Sequence, residues 1–362
     1  MLDDHSSPAI LTSIVFFIGP SHRLALILCY HLAMLLLAVL VGVGVIWLGI
    51  LAVMMAMGLL RPPRMSDGRA MAYLRRLSPG DLGLNFDELE FQIRDECTGR
   101  PLEIAAWWIP AENPTGKCAV LIHGYSDAKV GSIAWAPLLR SLGFSILAVD
   151  LRAHGESGGK YCTAGFWERH DLIQVLDQFR AQQPSATRQI ILFGISLGAA
   201  VAAATAAMRP DFAAVILECP FADYRSASLY HAARLGAPPT IFRLLALPIA
   251  QWIAHCNFAS VAPIKEIPKI SAPLMLIQSG DDPFASALDI FALQSAMKER
   301  PADSISSIWK LQGVHHVVGM CDDPEAYRTK IADFLSLKEN ADEPPRRQDA
   351  KVENTPRDFG LD

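Results

Sequence analysis

Residues 189–208 read QIILFGISLGAAVAAATAAM: a short apolar run, a Gly-Ile-Ser-Leu-Gly turn at 194–198, and an Ala-rich stretch ending at Met208. Five apolar-rich residues containing Ile and Phe fit a buried strand, and Ala is the strongest helix former. The stretch therefore predicts strand, tight turn and helix in succession. A serine held in such a turn has its Oγ exposed, and glycines on either side let neighbouring backbone pass closely. It also sits at a helix N-terminus, where the N–H groups and dipole favour a developing negative charge. Ser196 is thereby the candidate nucleophile. The bland alternative is a chance motif in a Gly/Ala-rich turn, and the strand and helix on either side weigh against it.

Outward from this stretch, short apolar runs recur with helical sequence between them. They are 119–122 (AVLI), 145–149 (SILAV), 213–217 (AAVIL), 273–277 (PLMLI) and 305–311 (ISSIWKL). Continuous apolar strands separated by helices read as a mostly parallel sheet covered on both faces. Upstream, 88–94 (ELEFQIR) and 102–109 (LEIAAWWI) alternate about a turn at Cys97–Arg100, which predicts a hairpin. Trp107 and Trp108 read as its packing residues. Gly194, Gly280 and Gly313 are expected just past strand ends. Open α/β sheets carry ligands outside the carboxyl ends of their strands, so the residues after each strand matter most.

A serine hydroxyl is a weak nucleophile and needs a base held by an orienting acid. On a sheet of this kind the chain order is Ser, acid, His. After 273–277 come Gln278-Ser279-Gly280-Asp281-Asp282-Pro283, and after 305–311 come Gln312-Gly313-Val314-His315-His316. Asp282, directly before the proline, is preferred over Asp281. His316, three residues after Gly313, is preferred over His315. The backbone N–H groups of Leu197 and Tyr125 are the expected oxyanion donors, the latter from the loop His123-Gly124-Tyr125-Ser126-Asp127. His123 is read as a loop brace, as are Asp150, Arg152 and His154.

The pattern H-G-Y (123–125), D-L-R-A-H-G-E-S (150–157), G-I-S-L-G (194–198), S-G-D-D-P (279–283) and G-V-H-H (313–316) resembles the α/β-hydrolase superfamily over about 88–337. The hairpin, the H-G-Y-S-D loop and E-C-P-F-A-D (218–223) resemble its BEM46-like and serine-aminopeptidase-like branch. The resemblance implies the α/β-hydrolase fold and acyl transfer to water; no metal or organic cofactor is expected, since no H-E-x-x-H or paired Cys/His spacing occurs and two amides can hold the oxyanion. Ala285-Ser286 stand where many relatives carry Val-Pro, a departure in the loop after Asp282. The resemblance also implies a lid insertion at about 226–268, whose Phe242, Leu245, Ile249 and Trp252 face either the core, an acyl chain or a membrane.

Composition sets the remaining bounds. Lys+Arg 32 against Asp+Glu 37 leaves −5, with no basic excess for nucleic acid. Hydrophobic residues make up 51%, and much of the excess lies in 24–60, which contains no Asp, Glu, Lys or Arg. About 20 apolar residues suffice to cross a bilayer, so a transmembrane helix is expected; one long span is favoured over a hairpin bent at Gly42 and Gly44. The run 9–19 is too short to cross and is expected in the interface. Arg61, Arg64, Arg69, Arg75 and Arg76 follow the span and Arg23 alone precedes it, so the rest of the chain is expected in the cytoplasm. The expected organisation is an N-terminal segment (1–23), the span (24–60), a basic linker (61–81), the hydrolase domain (82–337) and a disordered tail (338–362). The 7 cysteines form no C-x-x-C pair, which argues against a zinc site and suits a reducing compartment. The residues thus point to a membrane-anchored serine hydrolase of an ester or thioester, with an acyl or lipid substrate and the bilayer as partners. A peptidase using the same residues and a non-catalytic scaffold of the same fold are the alternatives.

Overall fold

The structure, a computed structural model, describes residues 20–342, with side chains from 24 to 337. The expected interfacial run at 9–19 and most of the expected tail lie outside the described residues. Helix α1 (Pro20–Leu60) is one unbroken helix of 41 residues, with no break at Gly42 or Gly44. At 1.5 Å per residue it extends about 60 Å. Residues 24–51 are exposed, and the helix is long and apolar enough to cross a membrane. Its last turns behave differently. Ala52, Ala56 and Leu60, spaced by four and so on one helical face, are fully buried.

The segment expected as a basic linker is ordered against the domain. Helix α2 (Asp67–Leu74) starts at Ser66, whose Oγ accepts the Arg69 N–H, and ends at Arg75 in the left-handed conformation. Ala70 is buried, with Met65 and Leu74 packed beside it. The apolar residues between the arginines anchor the segment, a pattern masked by the charge around them.

The sheet has eight strands: β1 (Asp87–Arg94), β2 (Pro101–Ile109), β3 (Lys117–Ile122), β4 (Ser145–Val149), β5 (Gln189–Ile195), β6 (Ala214–Glu218), β7 (Leu274–Asp281) and β8 (Ser306–His315). Their order is β1-β2-β4-β3-β5-β6-β7-β8. β1 and β2 form the expected antiparallel hairpin, β2 runs antiparallel to β4, and the pairings from β4 onward to β8 are parallel. Helices α3 (Glu168–Gln182) and α4 (Leu197–Met208) cover one face. Residues 128–139 and helix α8 (Pro324–Asp342) cover the other. Alternate strand residues feed the two layers: Val120, Ile122, Leu192 and Val215 on one side, Ala119, Leu121, Phe193 and Ile216 on the other. Burial on both faces explains why these strands read as continuous apolar runs.

Three glycines sit inside strands rather than after them. β5 continues through Gly194 to Ile195, β7 through Gly280 to Asp281, and β8 through Gly313 to His315. Ladder pairing is a backbone property, and it persists past the point where the apolar signal stops. A bulge between Ser279 and Asp281 pairs Asp281 with His315. Gly280 permits this approach, since a Cβ there would sit 2.9 Å from the Leu311 carbonyl oxygen. At the C-terminus α8 runs on to Asp342, past Lys338 where the disordered tail was expected to begin.

Between β6 and β7 lie helix α5 (Tyr224–Arg234), a π-helical turn (Phe242–Ala246) and helix α6 (Leu247–Ala254), and helix α7 (Ala287–Lys298) follows β7. The π-helical turn and α6 pack on α1. Of the four apolar lid residues, Phe242 is buried, Leu245 and Ile249 are half-buried, and Trp252 is 76% exposed.

Candidate active site

Ser196 joins β5 to α4 with φ 53° and ψ −112°. A non-glycine residue there is strained, and such strain persists only where the surroundings over-determine it. The surroundings are tight: a Cβ on Gly194 would collide with the backbone of Gly198, and one on Gly198 with the carbonyl oxygen of Ile122. The Ser196 N–H is held by the Glu218 carbonyl at 2.8 Å. Both flanking glycines are therefore steric requirements of the turn.

The carboxyl ends of β7 and β8 bring Asp282 and His316 to Ser196. His316 Nδ1 lies 2.7 Å from Asp282 Oδ2, and His316 Nε2 lies 2.9 Å from Ser196 Oγ. A carboxylate accepts, so Nδ1 carries the proton and Nε2 is free to accept from the serine hydroxyl. Asp282 is itself fixed by the Phe284 N–H on Oδ1 at 2.8 Å, and the Phe284 ring stands edge-on to the imidazole with centroids 5.0 Å apart. Asp281 and His315 are exposed and meet each other, through His315 Nδ1 and the Asp281 carbonyl at 3.4 Å. The structure brings together Ser196, Asp282 and His316, and leaves the neighbouring Asp and His outside.

Leu197 is the first residue of α4, and Tyr125 follows β3 by three residues. The 123–125 loop lies against the serine: a Cβ on Gly124 would sit 3.5 Å from Ser196 Cβ. His123 accepts the Leu151 N–H at Nε2 (3.0 Å), so its Nδ1–H donates to the Gly124 carbonyl (2.7 Å). Burial, with His154 nearby, pushes its pKa down to about 3, which keeps the ring neutral as a loop brace. The Asp150–Ser157 segment is structural in the same way. Asp150 accepts from Lys129 Nζ at 2.8 Å and from the Glu156 N–H at 2.9 Å. Arg152 grips Asp171 through two bonds.

Buried Lys129, which also stands 4.7 Å from the Trp107 ring centroid, carried no signal in the sequence. Glu218, behind the turn that holds Ser196, entered the sequence reading only as the first residue of E-C-P-F-A-D, with no role assigned. Its Oε2 accepts from Tyr327 Oη at 2.8 Å, its Oε1 has no partner among the described residues, and burial pushes its pKa up to about 7. Among the described residues the group best placed to ligate a metal is Cys219, Asp282 and His316. These atoms are already committed, Cys219 Sγ to Ser279 Oγ at 3.1 Å and the other two to each other.

The C-terminal end of α1 also reaches this region, which nothing in the sequence announced. Tyr125 Oη donates to the Gly58 and Leu59 carbonyls at 3.0 and 3.1 Å. Arg64 Nη1 donates to the carbonyls of His154, Gly155 and Ser157 at 3.1, 2.7 and 2.6 Å. Such contacts run through main-chain oxygens, which every residue carries, so they leave no trace in residue types.

With that geometry in place, comparison with known proteins is informative. A family model described as serine aminopeptidase, S33 matches residues 113–256, which include Tyr125, Ser196 and Leu197 but not Asp282 or His316. The uncharacterized protein YqkD of Bacillus subtilis is 27% identical over 233 residues, 62% of this chain and 73% of that protein. An esterase of Pyrococcus furiosus is similar in structure, with TM-score 0.62 and 21% identity, covering 77% of this chain and 98% of its own. An acylaminoacyl peptidase of Pyrococcus horikoshii gives TM-score 0.53 at 16% identity, covering 78% of this chain and 45% of its own.

Proposed function

On the premise that this chain has the α/β-hydrolase fold, we propose that it is a membrane-anchored serine hydrolase of carboxylic esters or thioesters. The observation that carries this reading is the hydrogen-bonded run Ser196–His316–Asp282, at 2.9 and 2.7 Å, on a strained strand-to-helix turn. Ser196 Oγ attacks the substrate carbonyl as His316 Nε2 takes its proton, and Asp282 holds the imidazole in the accepting tautomer. The Leu197 and Tyr125 N–H groups hold the oxyanion of the tetrahedral intermediate. His316 returns the proton to the departing alcohol or thiol. Water, activated by the same His316, then releases the acid from the acyl-serine.

The matched aminopeptidase description and the peptidase neighbour keep one rival in view, cleavage of amides by the same three residues. A panel of p-nitrophenyl esters, acyl thioesters and aminoacyl p-nitroanilides separates the two. Turnover confined to the esters and thioesters is expected; faster turnover of the anilides replaces this reading with the peptidase one.

Anchoring rests on the apolar α1 and on the burial of its end. Ala52, Ala56 and Leu60 complete the core, so removing the helix as a signal sequence would open that core. The arginines after Leu60 favour a cytoplasmic hydrolase domain. A fluorescent-protein fusion after Leu337 in a bacterial host is expected to fluoresce, and an alkaline phosphatase fusion there to stay inactive. An active phosphatase would move the domain to the other side.

A further inference from the structure

We propose that Tyr125 is a positioning residue that ties the oxyanion loop to the end of α1, so that the seating of the anchor helix sets the activity of the site. The inference rests on the serine hydrolase reading and adds a role for the helix within it.

A helix C-terminus leaves its last carbonyls without partners inside the helix. Here the domain supplies them. Tyr125 Oη shares its proton between the Gly58 and Leu59 carbonyls at 3.0 and 3.1 Å, and the Cys162 N–H takes the Leu60 carbonyl at 2.8 Å. The backbone of Tyr125 meanwhile belongs to the loop whose Gly124 packs on Ser196. One side chain thus spans from the serine's neighbourhood to the last turn of α1. Its ring is steadied edge-on by His154 and His231, with centroids 6.1 and 6.3 Å away. Burial pushes the phenol well above its usual pKa, so it remains a donor across the working pH range.

A second grip runs alongside. Arg64 bonds the 154–159 loop, and His154 from that loop stacks edge-on against His123 with centroids 5.0 Å apart. Residues 58–64 therefore hold two loops at the carboxyl edge of the sheet. An oxyanion donor works only when fixed where the charge develops, and a misplacement of about 1 Å costs about 10²-fold in rate. Freeing the Tyr125 hydroxyl leaves two carbonyls without their donor and lets the loop drift.

The test uses the full chain in lipid nanodiscs with a short-chain p-nitrophenyl ester. Tyr125→Phe keeps the ring and the main-chain N–H but loses both bonds to α1. It is expected to lower kcat by roughly 10–100-fold, with KM within about twofold, an unchanged shape of pH profile and a retained melting transition. Ala56→Phe overfills the buried contact of α1 and leaves the Tyr125 side chain itself unchanged, and is expected to lower kcat in the same way. Both changes cut one link, so the double variant should be no worse than the weaker single by more than about threefold. Parent-like kcat in Tyr125→Phe, parent-like kcat in Ala56→Phe, or multiplying losses in the double variant would each overturn the proposal. The two levels fail differently. If Ser196→Ala is inactive while Tyr125→Phe matches the parent, only the coupling falls; if Ser196→Ala stays active, the hydrolase reading falls first.

Discussion

Ser196→Ala is expected to lower turnover of p-nitrophenyl esters by roughly 10³–10⁶-fold while the fold stays intact. The expected loss is large because the proposed mechanism makes this hydroxyl the attacking atom. The fold survives because Ser196 is held through its backbone, by the 2.8 Å bond from its N–H to the Glu218 carbonyl and by the close packing of Gly194 and Gly198. Its hydroxyl meets His316, so the substitution removes one side-chain bond at a partly open site. Steady-state kinetics with a parallel thermal melt measure both halves. A folded variant that turns over like the parent would remove Ser196 from the mechanism.

Within each ambiguous pair the second residue should dominate. Asp282→Asn and His316→Ala are expected to cost roughly 10³–10⁴-fold in kcat, while Asp281→Asn and His315→Ala cost less than about tenfold, or 1.4 kcal/mol. The asymmetry comes from one position of chain travel at the ends of β7 and β8. Asp282 Oδ2 accepts from His316 Nδ1 at 2.7 Å, and an amide in that place could present an N–H and reverse the tautomer. His315 lies on the exposed side of the ladder and reaches the Asp281 carbonyl. The reverse ranking within either pair would shift that loop by one residue and leave the reaction class standing.

How much of this was legible in the sequence depended on whether the information was local. The turn at 194–198 sits between its strand and its helix in one continuous stretch, so periodicity and glycine placement expose it directly. Asp282 and His316 could be ranked because each follows an apolar run, although neither run shows that the strands continue to Asp281 and His315. Their outer ends carry polar residues, and only the backbone ladder holds them. Lys129 with Asp150, and Glu218 with Tyr327, pair residues far apart in the chain, and their types alone would suit a solvated surface. The end of α1 was hidden most completely. Its apolar run reads as lipid-facing along its whole length, yet Ala52, Ala56 and Leu60 turn inward and their neighbouring carbonyls meet Tyr125. The arginines on either side, Arg61, Arg64, Arg75 and Arg76, also concealed the packed helix at 67–74, whose own residues are mostly apolar.

The central claim is that Ser196 is a nucleophile activated by His316, and covalent trapping tests it most directly. The chain of residues 1–362 in nanodiscs is treated with a fluorophosphonate probe, digested, and the adduct located by mass spectrometry. A single phosphonyl adduct on Ser196, lost in His316→Ala at matched exposure, is the expected result. A folded protein that takes up no probe, or carries it on another residue, would contradict the account.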